Sequence, residues 1–80
     1  MAKRHSIKIF AGSSHPALGM SIAKELQIPF SRMLLKKFAN GELYARPEET
    51  VRGCNVFIVQ TATHNVNEDL MELFIMIDAV

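Results

Sequence analysis

Eighty residues allow one small domain, and a chain of that size buries only somewhat more than about 60% of the surface it exposes when unfolded. An apolar share of 49% excludes compositional disorder, and a net charge of +1 provides no field to gather nucleic acid or an anionic membrane. No apolar run approaches the ~20 residues of a membrane span, the basic start Lys3-Arg4-His5 leads into a strand pattern rather than a signal-peptide core, and the single Cys54 reads as a loop thiol without a disulfide partner, all as expected of an unexported, cytoplasmic protein.

Residues 6–10 are β-rich and partly alternating, and they run into the breaker cluster Ala11-Gly12-Ser13-Ser14 ahead of Pro16. Strand, loop and helix are expected in that order. Pro16 fits the first helical turn, where its missing N–H costs nothing, with Ser14 or His15 near the N-cap. Leu18, Ile22, Ala23 and Leu26 form an apolar stripe, Ser21, Lys24, Glu25 and Gln27 face outward, and Pro29 closes the helix at or before Ile28.

Residues 33–38 and 43–46 are short strand candidates joined through Ala39-Asn40-Gly41-Glu42. Asn-Gly is a strong hairpin signal because a type I′ turn needs positive φ at both central residues, so an antiparallel excursion ended by Pro47 is predicted. Beyond Glu48-Glu49-Thr50-Val51-Arg52-Gly53, the run Val56-Phe57-Ile58-Val59 has the nearly continuous apolar character of a strand buried on both faces. A central parallel strand is expected there. Asn65 or Asn67 can cap a final helix, and Glu68, three residues after Asn65, completes the pattern of a capping box. From Leu70 to Val80 apolar residues surround almost the whole helix, interrupted only by Glu72 and Asp78, so it needs cover on nearly every side and this chain supplies too few partners. With no C-capping glycine, terminal basic residue or proline, the pattern predicts that Val80 lies inside a helix that continues.

Several positions invite chemistry. The Gly12-Ser13-Ser14 loop precedes a helix N-terminus, where free N–H groups favour an anion such as phosphate; the alternative is a tight turn with a serine cap, since neither the dinucleotide glycine pattern nor a P-loop lysine is present. His5, His15 and His64 lie far apart without Cys, Asp or Glu at metal-ligand spacing, so no metal site is expected; His15 reads as a turn residue and His64 as part of a polar loop. Glu48-Glu49 reads as a solvated turn, and Arg52 as a loop arginine pairing with one of those carboxylates, although its fork of donors also suits phosphate, with the Thr50 hydroxyl nearby. Phe38, Asn40 and Glu42 can meet at the Asn40-Gly41 turn as a ring, an amide and a carboxylate, a trio suited to a purine; spacing alone favours an ordinary hairpin with a core phenylalanine.

Lys36-Lys37-Phe38-Ala39-Asn40-Gly41-Glu42, followed by Thr50-Val51-Arg52-Gly53 and Val56-Phe57-Ile58-Val59-Gln60, with Ile7-Lys8-Ile9-Phe10-Ala11-Gly12-Ser13-Ser14-His15 before them and Asp69-Leu70-Met71-Glu72-Leu73-Phe74-Ile75-Met76-Ile77-Asp78-Ala79 after, resembles in order the N-terminal region of ribose-phosphate pyrophosphokinases, also called phosphoribosyl pyrophosphate synthetases. The resemblance implies an α/β fold: a parallel sheet with a local antiparallel hairpin, forming the first part of a type I phosphoribosyltransferase-like three-layer domain. Residues 1–80 would then be the N-terminal part of the N-terminal domain. It implies ATP and ribose 5-phosphate as substrates, magnesium held by residues outside this chain, and a homo-oligomer, as a hexamer. It further implies that Phe38, Asn40, Gly41 and Glu42 contact the adenine of ATP bound in a neighbouring subunit, and that Thr50 and Arg52 belong to a regulatory anion site for phosphate or ADP. No catalytic residue or metal ligand of that family falls here, so the chain alone is expected to be inactive. Two rivals stand beside this reading. One is a non-catalytic synthetase-associated regulatory subunit, against which the intact Lys-Lys-Phe-Ala-Asn-Gly-Glu stretch speaks. The other is an independent flavodoxin-like nucleotide-binding module, which would be a stable monomer.

Overall fold

A strand, β1 (Ile7–Ala11), is followed by helix α1 (Pro16–Glu25), a pair of strands β2 (Met33–Lys37) and β3 (Leu43–Pro47), a strand β4 (Asn55–Val59) and a final helix α2 (Val66–Ala79). This computed structural model describes residues 7–80; Lys3, Arg4, His5 and the first residue of the predicted opening strand lie outside the described residues. β1 and β4 pair in parallel with Ile9 opposite Phe57, whereas β2 and β3 form a separate antiparallel pair with Lys37 opposite Leu43. The predicted succession of elements along the chain and the antiparallel excursion between the parallel strands are both present.

Alternation along β1 divides its side chains between two faces. Ile9 packs with Ala23 and Ile28 of the α1 region, with Ile22, Phe30 and Val59 at the margin. Phe10, one residue on, points to the other face and is fully buried, as is Met76 of α2.

The face that α1 buries differs from the stripe of leucines. Gly19 and Ala23 are buried, while Leu18 and Leu26 are 38% and 51% exposed. The reason is close approach: a Cβ on Gly19 would stand 2.7 Å from the Cβ of Ala11, so the helix lies on β1 through its smallest residues and the larger ones are pushed to the flanks. The helix stops ahead of Pro29, as expected, through hydrogen bonds the pattern did not reveal. Gln27 takes φ 57°, Ile28 N–H donates to Ala23 C=O and Gln27 N–H to Lys24 C=O, both at 3.0 Å, which is a Schellman end with its apolar contact between Ile28 and Ala23.

Three further expectations are corrected. β4 is not buried on both faces: α1 packs mainly over β1, and Phe57 on the β4 part of that face is 55% exposed. The capping box at α2 does not form: Asn65 occupies the N-cap without a side-chain bond, and Glu68 turns instead to Lys37. The hairpin turn is not type I′, since Gly41 (φ 89°) has positive φ and Asn40 does not. α2 packs against β3 and β4 on one side and buries only Met76, leaving Leu70, Met71, Phe74 and Ile77 exposed, as its all-round apolar pattern in so short a chain implies.

Candidate functional site

The β2–β3 tip is built by a four-residue turn closed by Gly41 N–H donating to Phe38 C=O at 2.9 Å, after which Gly41 takes the left-handed conformation and Phe38 N–H bonds Glu42 C=O at 2.8 Å. This is the three-residue hairpin loop in which a left-handed glycine follows the turn. The Asn40 side chain folds back so that its Oδ1 accepts from Glu42 N–H at 3.0 Å, the local bond that makes asparagine a turn residue. Phe38, Asn40 and Glu42 are thereby gathered on one exposed tip. Phe38 is half exposed and meets Tyr44 with ring centroids 6.4 Å apart and planes tilted by 57°, so it is not the core residue that spacing alone suggests. It lies just past the end of β2, where no layer covers it.

Between this hairpin and α2 runs a groove of about 480 Å³, walled by Leu35, Leu43 and Tyr44 on one side and Met71 and Ile75 on the other. Lys37 Nζ and Glu68 Oε1, 3.3 Å apart, pair beside it. Phe38, Asn40 and Glu42 do not line the groove. They are presented to whatever lies beyond the tip.

Arg52 sits at the corner of a second turn. Cys54 N–H donates to Val51 C=O at 3.0 Å and Gly53 takes φ 74°, the signature of a type II turn that pushes its second residue outward. The carboxylates assigned to Arg52 by sequence proximity are engaged elsewhere: Glu49 pairs with Lys8, and Glu48 approaches Arg32 at 3.9 Å. The hydrogen bond from Lys8 holds the Glu49 carboxyl below the usual glutamate range, so Glu48-Glu49 is a tethered turn rather than a freely solvated one. Among the described residues the Arg52 guanidinium makes no ion pair, and Thr50 is exposed close by in sequence. The Cys54 thiol is a loop thiol, donating to Arg52 C=O at 3.7 Å.

The Gly12-Ser13-Ser14 loop does hold an anion, one supplied by the chain itself. Ser13 N–H donates to Glu72 Oε1 at 2.7 Å and Ser13 Oγ to Glu72 Oε2 at 2.9 Å. The serine cap is absent, because His15 fills the N-cap and its Nδ1 accepts from Leu18 N–H at 3.1 Å. His64 Nδ1 lies 3.0 Å from Thr63 Oγ1 in its polar loop. The sequence pattern does not single out Glu72 and its partner Gln60; the signal it offers is that Glu72 is one of two carboxylates, with Asp78, interrupting the apolar run of the helix. Among the described residues no group of three or more His, Cys, Asp or Glu is arranged to hold a metal ion. Nor is any helix of the described residues long and apolar enough to cross a membrane.

The family model for the N-terminal domain of ribose phosphate pyrophosphokinase matches residues 7–80. The chain belongs to that family. A ribose-phosphate pyrophosphokinase of Clostridium perfringens is 54% identical over 74 residues, which is 92% of this chain and 23% of that protein. The chloroplastic ribose-phosphate pyrophosphokinase 2 of rice, Oryza sativa, is 49% identical over 73 residues, 91% of this chain and 18% of that protein. The crystal structure of phosphoribosylpyrophosphate synthetase from Mycobacterium smegmatis superimposes with a TM-score of 0.85 at 44% identity, covering 91% of this chain and 24% of that one. The chain thus spans about a quarter of the length of the ribose-phosphate pyrophosphokinases it matches, and it shares the phosphoribosyltransferase-like fold of their N-terminal region.

Proposed function

We propose that this chain supplies adenine recognition and subunit contact to an enzyme that transfers the β,γ-diphosphoryl group of ATP to the anomeric hydroxyl of ribose 5-phosphate, giving phosphoribosyl pyrophosphate and AMP. In that reaction the anomeric oxygen bonds to the β-phosphorus, the bond between the β-phosphorus and the α,β-bridging oxygen breaks, and AMP leaves. The groups that move the proton and hold magnesium are assigned to segments of the longer protein. The enzyme is read as a cytoplasmic homo-oligomer, a hexamer in keeping with the family resemblance.

The observation that supports this reading is the outward display of Phe38, Asn40 and Glu42 on an exposed hairpin tip, off the lining of the groove of their own chain. A neighbouring subunit's nucleotide is the occupant such a display suits. The turn also selects a role for each group. Asn40 Oδ1 already accepts from Glu42 N–H, so its NH₂ is the part left to donate to a ring nitrogen, while the Glu42 carboxylate accepts from the exocyclic amine. Gly41 shapes the tip, and Phe38 offers a ring for stacking. Thr50 and Arg52 are read as donors to a regulatory phosphate or ADP, supported by a guanidinium at its turn corner that makes no ion pair among the described residues.

Steady-state kinetics of Phe38→Leu in the full-length enzyme tests the reading. Base–aromatic stacking is worth about 1–3 kcal/mol on truncation to alanine, and leucine keeps part of the apolar contact, so the KM for ATP should rise by an amount at the lower end of roughly five- to 150-fold. The KM for ribose 5-phosphate should stay constant. An unchanged KM for ATP would remove Phe38 from the nucleotide site.

A further inference from the structure

Glu68, Glu72 and Met76 stand four residues apart on α2 and so share one stripe of the helix. Each points to a different partner. Glu68 pairs with Lys37 at the end of β2, Met76 is fully buried, and Glu72 enters a clasp at the C-terminal ends of β1 and β4. In that clasp Glu72 Oε1 accepts from Ser13 N–H at 2.7 Å and from Gln60 Nε2 at 2.8 Å, and Oε2 accepts from Ser13 Oγ at 2.9 Å. Gln60 Nε2 also donates to the α2 carbonyl of Asp69 at 3.1 Å, while Gln60 Oε1 accepts from Ser14 Oγ at 2.7 Å. Ser14 Oγ in turn accepts from Thr61 N–H at 3.0 Å. The clasp closes over Gly12, which is buried: a Cβ there would lie 2.1 Å from Gln60 Oε1 and 2.7 Å from Glu72 Oε1.

The hairpin depends on α2 for its side support. No ladder joins β2–β3 to the β1–β4 sheet. Its base is tied by Ser31 N–H to Ile9 C=O at 2.9 Å and by the Lys8–Glu49 pair, but above the base it leans on α2 through β3 and the Lys37–Glu68 contact.

We propose that Glu72 is a positioning residue: gripped by Ser13 and Gln60, its carboxylate sets the seat of α2 on the sheet and thereby the height at which the β2–β3 hairpin presents Phe38, Asn40 and Glu42. The proposal rests on the adenine reading of that tip for its kinetic consequence, and on the clasp geometry alone for its structural one. Charge is not what the clasp requires. A glutamine in place of Glu72 offers one oxygen to Ser13 N–H and Gln60 Nε2, and an NH₂ to the Ser13 hydroxyl, which accepts as readily as it donates.

Glu72→Ala, Glu72→Gln and Gly12→Ala in the full-length enzyme, read by substrate kinetics and by amide hydrogen exchange, test it. Glu72→Ala and Gly12→Ala should speed exchange at residues 38–44 while residues 7–11 and 55–59 keep their protection. The KM for ATP should rise about fivefold or more, with that for ribose 5-phosphate unchanged, because displacement of a binding group by an ångström is costly even when the mutation is remote. Glu72→Gln should restore both readouts. Unaltered exchange at the hairpin in Glu72→Ala overturns the proposal, as does equal weakening of both substrates or a glutamine variant as impaired as alanine. Phe38→Leu run in parallel separates the two readings: if it leaves ATP use intact the adenine assignment fails, while hairpin exchange still decides the role of Glu72.

Discussion

Replacing Asn40 distinguishes a turn residue from a base-reading residue, provided that two substitutions are compared. Asn40 Oδ1 holds Glu42 N–H at 3.0 Å, so Asn40→Ala removes that turn bond together with the NH₂ donor. The turn bond lies at an exposed tip where water replaces the lost partner, and its loss costs about 0.5–1.5 kcal/mol. Asn40→Asp keeps an oxygen in the same place and hence keeps the turn, but it has no proton to give a ring nitrogen. Removing a donor from a desolvated contact costs about 1–3 kcal/mol, or roughly five- to 150-fold in affinity. With base reading, both variants raise the KM for ATP and Asp is at least as harmful as Ala. With a turn role only, Ala loses ATP affinity through a disordered tip and Asp resembles the parent. The assay is initial-rate kinetics over ATP at saturating ribose 5-phosphate in the full-length enzyme, with thermal unfolding recorded on the same preparations. An Asp variant with the parent's KM for ATP would refute the assignment of Asn40 to adenine.

Gly19→Ala sets a gain of up to about 1 kcal/mol in helix propensity against overpacking of about 1–3 kcal/mol, because its Cβ would fall 2.7 Å from the backbone-anchored Cβ of Ala11. A net loss of roughly 0–2 kcal/mol is expected in chemical denaturation, and Ala11→Gly in the same background should relieve it; a stabilised single variant would show that α1 has room to retreat. Arg52→Ala should flatten the response of activity to phosphate and ADP concentration more than it lowers turnover, and unchanged response curves would reduce Arg52 to a turn residue. The Glu49 carboxyl, held low by Lys8, contributes stability that is present above the unfolded glutamate pKa and lost as pH falls through the lower folded value. An NMR titration should therefore find Glu49 below the ordinary glutamate range in the parent and shifted upward in Lys8→Gln, while an identical titration in both would remove the pair as the cause.

Order and type of the elements were determined by sequence alone, because they follow from local chemistry: Pro16 opens α1, Pro29 bars its continuation, and Asn40-Gly41 reverses the chain between β2 and β3. The family was legible for the same reason, in contiguous runs such as Lys36-Lys37-Phe38-Ala39-Asn40-Gly41-Glu42. Which face each element buries was decided by tertiary contact. Gly19 rather than Leu18 lies on β1 because the approach distance admits no side chain there, and Phe57 is exposed because α1 packs mainly over β1 and leaves that part of the β4 face uncovered. The partners of charged groups were likewise invisible in sequence. Glu49 takes Lys8 from 41 positions away instead of nearby Arg52, and Glu72 takes Ser13 from 59 positions away. Hydrogen bonds of that separation depend on how the sheet, the loop and α2 are stacked, and no local propensity encodes that stacking.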